Sequence, residues 1–252
     1  MGGKCLVNQG KQEFVGQGRN RHQCLAIRTK VVLREDKLED IIEEFARPVV
    51  MEGDILFISE KMVACTQGRA VPLEDIRPGF WAALLSRFVV KRPGGIGLGM
   101  PETMQCAIQE CGLPRILVAS AVGAVGKLFG KRGWFYRVAG WRAASIDGPC
   151  HWTLPPYNRY VVLGPENPEN TAKEISCALG GKCVLVVDLN DFGGKILGCS
   201  HPDADQTLLL DLLAQNPLGQ SGQCTPMGVL RPSLQKEVAG QGTEVETPGN
   251  CA

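Results

Sequence analysis

Gly53-Asp54-Ile55-Leu56-Phe57-Ile58-Ser59-Glu60-Lys61 opens on a turn pair, passes through four consecutive apolar residues and leaves on charge. An apolar run that short, bounded by a glycine-aspartate turn, predicts a strand at 55–58 buried on both faces. Past it, Glu60-Lys61 and then Gln67-Gly68-Arg69 bring donors and acceptors to one end of that strand. Lysine meets phosphate as a point charge and arginine grips it bidentately, so this end is a candidate anion site. A strand ending in solvated charges explains the same spacing equally well.

Working outward, a second buried strand is predicted at 183–187, and a third at 24–33, where Val31 and Val32 are β-branched. Arg34-Glu35-Asp36 then opens a helix with Leu38, Ile41, Ile42 and Phe45 at helical spacing, ended by Arg47-Pro48. Further helices are predicted at 80–90, 103–111, 170–179 and 206–214, with Gly112 and Gly180-Gly181 as C-terminal caps. Strands are predicted at 115–120 and 160–163, the latter after an extended Pro155-Pro156 loop, and a glycine-rich basic loop at 122–137. Strands and helices alternate without a regular βαβ rhythm, which predicts a mixed α+β fold with flanking helices. The domain plan is an N-terminal arm at 1–23, mobile or a loose hairpin, a main domain at 24–230 in one or two subdomains, and a disordered tail at 231–252.

Composition bounds the function. The chain has 252 residues, 44% of them hydrophobic and 21% charged, enough to bury a substantial core. A net charge of +1 gives no global attraction to nucleic acid or anionic membranes, and neither is expected as a partner. Eleven cysteines with no C-x-x-C pair and no secretory leader point to reduced thiols in a cytoplasm. The apolar stretch 116–126 falls well short of the ~20 residues of a membrane-spanning helix.

Three apparent motifs fail on context. Asp191-Phe192-Gly193 lacks the rest of the kinase signature, Gly95-Ile96-Gly97-Leu98-Gly99 follows Pro93 rather than a strand, and Val125-Gly126-Lys127-Leu128 lacks the hydroxyl residue of a P-loop. His151 beside Cys150 reads as a structural or substrate-contact residue. Better candidates are acidic. Asp188, Asn190 and Asp191 follow the 183–187 strand, with Gly193-Gly194 permitting close backbone approach, and suit a magnesium or manganese ion whose shell phosphate and water complete. Two carboxylates that close repel each other without a cation. Asp147, in Ile146-Asp147-Gly148-Pro149, sits on a turn that exposes its carboxylate, as an Asx-turn residue or as a further ligand. Lys127, Lys131 and Arg132 lie among glycines in a loop suited to phosphate or an anionic substrate, with Phe129 and Trp134 interleaved.

The 53–69 segment resembles the G-D-V-L-V-V-x-Q-K-x-V-S-K-x-E-G-R stretch of the gamma-glutamyl ligases that extend the deazaflavin coenzyme F420. Ser145-Ile146-Asp147 is similar to that family's A-G-V-D-E-S-N segment, 160–175 to its V-L-L-P-x-D-P-x-x-x-A-x-x-I and 185–193 to its I-I-S-D-T-F-G. Order and spacing agree from about 27 to 198. The resemblance implies a GTP-dependent ligase that activates a carboxylate as an acyl phosphate and joins it to the amine of glutamate. It also implies two divalent ions, magnesium or manganese, an α+β fold and an intertwined homodimer. By position it makes Asp147 a metal ligand, sets Asn190 and Asp191 where the family has Asp and Thr ligands, and brings Lys61, Gln67 and Arg69 near the nucleotide or substrate. Cys65, Gln67 and Asn190 depart from the family's residues, and 93–141 matches none of its segments, which marks a divergent subfamily. Loss of catalysis with retention of nucleotide binding is the alternative those departures raise.

Overall fold

The computed structural model describes residues 6–8, 11, 13–89, 96–131, 133–150, 153–190, 193–219 and 222–233. In chain order the strands are β1 (Leu6–Val7), β2 (Phe14–Val15), β3 (His22–Arg28), β4 (Ile55–Ser59), β5 (Ala70–Pro72), β6 (Tyr160–Val162), β7 (Cys183–Asn190), β8 (Gly193–Cys199) and β9 (Met227–Pro232). The helices are α1 (Leu38–Ile41), continued by a π-helical turn at Ile42–Ala46, α2 (Glu60–Thr66), α3 (Phe80–Ser86), α4 (Pro101–Cys111), α5 (Leu113–Leu128), α6 (Trp134–Ala139), α7 (Trp141–Ala144), α8 (Pro168–Ala178) and α9 (Gln206–Leu213). The fold is mixed α+β.

One sheet runs β1-β3-β9-β4-β7-β8, with β2 also on β3, and β5 and β6 form a separate pair. Within the large sheet β4 and β7 pair in parallel and the other pairs are antiparallel. Alternate side chains of a strand face opposite ways, so unbroken apolar runs in β4 and β7 require cover on both sides. Leu56, Ile58, Val184 and Val186 pack on one side with Ile41 and Ile175, under α1 and α8. Phe57, Leu185 and Val187 pack on the other with Leu209 and Leu213 of α9. The crossover from β4 to β7 carries α3 to α7, a helical layer with its own core of Leu98, Met104, Ile116 and Ile146.

Several sequence expectations need correction. Residues 115–120 are not a strand but part of α5, and 122–137 is not one open loop but the end of α5, a short turn and α6. Pro114 is no breaker there, because a first-turn proline lacks only an N–H that would have had no partner. The glycines at 123 and 126 stand where α6 lies against α5: a Cβ at 123 would be 3.1 Å from Phe135 Cβ and one at 126 would be 3.0 Å from the Trp134 ring. β7 also runs on through Asp188 to Asn190, so these two are strand residues rather than loop residues. The strand predicted at 24–33 starts and stops earlier, at His22 and Arg28. β8 and β9 were not predicted at all. Of the N-terminal arm, β1 and β2 pair with β3. The tail expected from 231 starts later, because Arg231 and Pro232 belong to β9 and Arg231 pairs with Asp54; from 234 it lies outside the described residues.

Candidate active site

The site begins where β4 ends. Ser59 caps α2, its hydroxyl oxygen accepting from the backbone N–H of Lys61 at 3.3 Å. Glu60, the first helical residue, is thereby turned inward and is only 2% exposed. Lys61 reaches across. Its ammonium lies 2.8 Å from Glu60 Oε1 and 3.0 Å from Asp147 Oδ2, and donates to the Ser145 carbonyl at 3.0 Å. An ammonium has three N–H donors, and these three acceptors match that number.

Asp147 is held by its backbone, not by its side chain. It exchanges two 2.9 Å hydrogen bonds with Val162, which ties the turn after α7 to β6 and leaves the carboxylate 62% exposed beside Lys61. Asp188, on β7, feels the charges of Lys61 and Asp147 and has Lys195 opposite it on β8. Asp188 and Lys195 line a cavity of about 290 Å³ together with Ser145, Tyr136, Arg137 and Trp141. Three segments far apart in sequence thus meet at one sheet end beside a recess with cationic and aromatic walls.

Electrostatics follow from the crowding. Burial pushes the Glu60 carboxyl above the ordinary carboxylate range; Lys61 opposes this, and Asp188 and Asp147 reinforce it. Asp188 is likewise pushed up, first by burial, with Lys61 pulling down and Asp147 pushing up. Burial alone would lower Lys61, but the charges of Asp147 and Glu60 outweigh it and hold the ammonium protonated above its usual range.

The other sequence candidates lie elsewhere or are engaged elsewhere. Arg69 is 2.6 Å from Glu110 of α4 and 2.8 Å from Glu166, and its Nε donates to the Gly164 carbonyl. Gln67 donates to the Glu166 carbonyl at 3.0 Å and accepts from the Glu166 N–H at 2.7 Å. Both therefore clasp the loop before α8. Lys127 is in the last turn of α5, donating to the Phe88 carbonyl at 3.1 Å, and Lys131 is exposed just beyond it. Neither lines the cavity, whereas Arg137 does. Asn190, two residues past Asp188, shares its strand face. Arg132, His151 and Asp191 lie outside the described residues. In the sequence Glu60 reads only as part of a charged strand end, and Arg137 and Lys195 are not singled out. For Glu60 a signal existed, an acid directly after a serine cap on a buried strand; for the other two none did.

Among the described residues no group of three or more metal-ligating side chains stands ready-made, and the Lys61 ammonium lies among the carboxylates instead. The donor set nonetheless suits a hard cation, being all oxygen. Glu60 Oε2 is buried and has no hydrogen-bond partner among the described residues. Such an oxygen is costly to leave unsatisfied.

The model of a family described as F420-0:Gamma-glutamyl ligase matches residues 26–197, more than half of the chain. No curated protein matches it.

Proposed function

Since the chain belongs to the F420-0:gamma-glutamyl ligase family, and is by that membership a ligase, we propose that it joins a glutamate-like amino acid to a substrate carboxylate through an acyl phosphate, using GTP and magnesium or manganese. The observation that supports this most is the meeting of Glu60, Lys61, Asp147 and Asp188 beside a cavity with Arg137 and Lys195 in its wall.

A carboxylate is a poor electrophile until phosphorylated. Its oxygen bonds to the terminal phosphorus as the bond to the departing diphosphate breaks. The amine nitrogen then bonds to the carbonyl carbon as phosphate leaves with its electron pair, and the nitrogen loses a proton. The carboxylate, the triphosphate, the acyl phosphate and the departing phosphate are all anionic, and cationic side chains next to a low-dielectric wall stabilise them. Arg137 and Lys195 would hold an anionic substrate group, and Lys61 would meet charge developing near Ser145. Glu60, Asp147 and Asp188, with Asn190 two residues along β7, would hold divalent metal, which supplies neutralisation of the phosphates. At about 290 Å³ the cavity falls just below the usual span of small-molecule sites, roughly 300–1,000 Å³, and suits an amino acid rather than a whole nucleotide.

A catalytically silent binding protein is the second reading. Two of the departures that raise it lie off the cluster, Cys65 being buried in α2 and Gln67 clasping the Glu166 backbone, while the third, Asn190, shares the strand face of Asp188. The proposal is tested by phosphate release from GTP and from ATP, with manganese or magnesium, over a panel of carboxylates and amino acids. Release that needs both metal and an amino-acid acceptor, and that Asp147→Asn abolishes, supports it. Nucleotide binding without turnover under any pairing would favour the silent reading. The proposed homodimer is checked by sedimentation of the same preparation.

A further inference from the structure

Lys61 has spent its three donors on Glu60 Oε1, Asp147 Oδ2 and the Ser145 carbonyl, and so cannot serve Glu60 Oε2. That oxygen is enclosed, without a hydrogen-bond partner among the described residues, in a cluster that also feels the charge of Asp188. Carboxylates outnumber ammonium groups here: Glu60 and Asp147 hold Lys61, Asp188 feels its charge, and Lys195 stands opposite Asp188 on β8. A second cation entering at Glu60 Oε2 would share the carboxylates that hold the first, and two cations a few ångströms apart repel.

We infer that Lys61 is a tethered cation which shares the Glu60, Asp147 and Asp188 carboxylates with a divalent metal ion, and that metal loading exchanges its ammonium out of those contacts toward the Ser145 side of the cavity. The inference rests on the metal-dependent reading above. It adds an order of events, in which the metal must load before Lys61 is free to meet an anionic substrate. Geometry permits this. The Ser145 carbonyl that Lys61 already touches belongs to a residue of the cavity wall, so the ammonium need only release its two carboxylates to face the recess. Asp147 is largely exposed, which gives a cation an approach from solvent.

The test uses the full chain and manganese alone, without nucleotide. Calorimetry compares wild type with Lys61→Met and Glu60→Gln, and mass spectrometry follows labelling of Lys61 by an amine-reactive reagent with and without manganese. Removing the competing ammonium is expected to tighten manganese binding by about tenfold or more. Glu60→Gln is expected to weaken it by a similar factor, and Lys61 of the wild type to label several-fold faster once manganese is bound. Binding that is equal in wild type and Lys61→Met, or manganese binding that leaves Lys61 labelling unchanged, overturns the exchange while the metal-dependent reading stands. Failure of the wild type to bind manganese or magnesium at millimolar concentration overturns both. The labelling arm needs no variant, so it decides the matter even where Lys61→Met does not fold.

Discussion

Glu60 and Asp188 hold their protons to higher pH than ordinary carboxyls because burial penalises their charged forms. A carboxyl whose folded pKa is raised contributes stability that is fully present below its unfolded value and is lost as pH rises through the folded one. A divalent ion needs both groups ionised and must displace those protons, so its affinity should climb with pH past the usual carboxylate range. Calorimetry in buffers of different ionisation enthalpy should show manganese binding that strengthens from about pH 5 to pH 7 and releases protons; affinity flat over that span would remove these two residues from the ligand set. Asp54 shows the contrasting use of a buried acid. Arg231 grips it at 2.9 and 2.7 Å, and its second oxygen also accepts from the Met51 N–H at 2.7 Å, so the turn into β4 is fully partnered. Of the residues at the site, Asp147 and Asp188 were legible as acids near strand ends. Glu60 and Lys61 read equally well as solvated charge, since only the folded chain shows that one is enclosed.

Between elements, close approach decides which residues are tolerated. β8 passes so near the start of α8 that a Cβ at Gly198 would lie 2.3 Å from the Pro168 carbonyl oxygen and 2.5 Å from the Glu169 nitrogen. Gly198→Ala should therefore cost about 1–3 kcal/mol or more, as overpacked cores do. In a domain of this size that is a fall in Tm of roughly 2–4 °C per kcal/mol, measured by thermal unfolding. Arg69 joins α4 to the loop before α8 through Glu110 and Glu166. Arg69→Ala should cost about 2–4 kcal/mol, somewhat less than for a fully enclosed pair, and Arg69→Lys should recover little because lysine cannot span both carboxylates. A variant with an unchanged Tm and lost turnover would instead assign Arg69 to the substrate. The same contacts explain why β8 was invisible in sequence. Its glycines read as a loop, whereas one of them is required by a helix packed on top of it.

For the whole molecule, a net charge of +1 conceals a division. Between 79 and 146, across the helical layer, nine lysines and arginines stand against two acids, Glu102 and Glu110. Glu110 is spent on Arg69 and Arg142. Arg137 and Trp141 of this layer line the cavity, so under the proposed function the segment's positive balance should steer anionic ligands inward. Stopped-flow association of GTP should slow as ionic strength rises from about 0.01 to 0.15 M, where the screening length shrinks from about 30 to 8 Å; an on-rate independent of salt would deny the steering. Among the described residues no single helix is long and apolar enough to cross a membrane. By itself the sequence determined the buried strands β4 and β7, the helices α1, α4, α8 and α9 to within a few residues, the mixed α+β class and the family. These signals are local, set by apolar spacing, capping residues and short runs of quoted motif. Only the tertiary structure decided that α5 is a helix, that β9 enters the sheet between β3 and β4, and that Glu60, Lys61, Asp147 and Asp188 share one corner. Each of those depends on segments up to two hundred residues apart being pressed together, and no local spacing encodes which buried charge meets which partner.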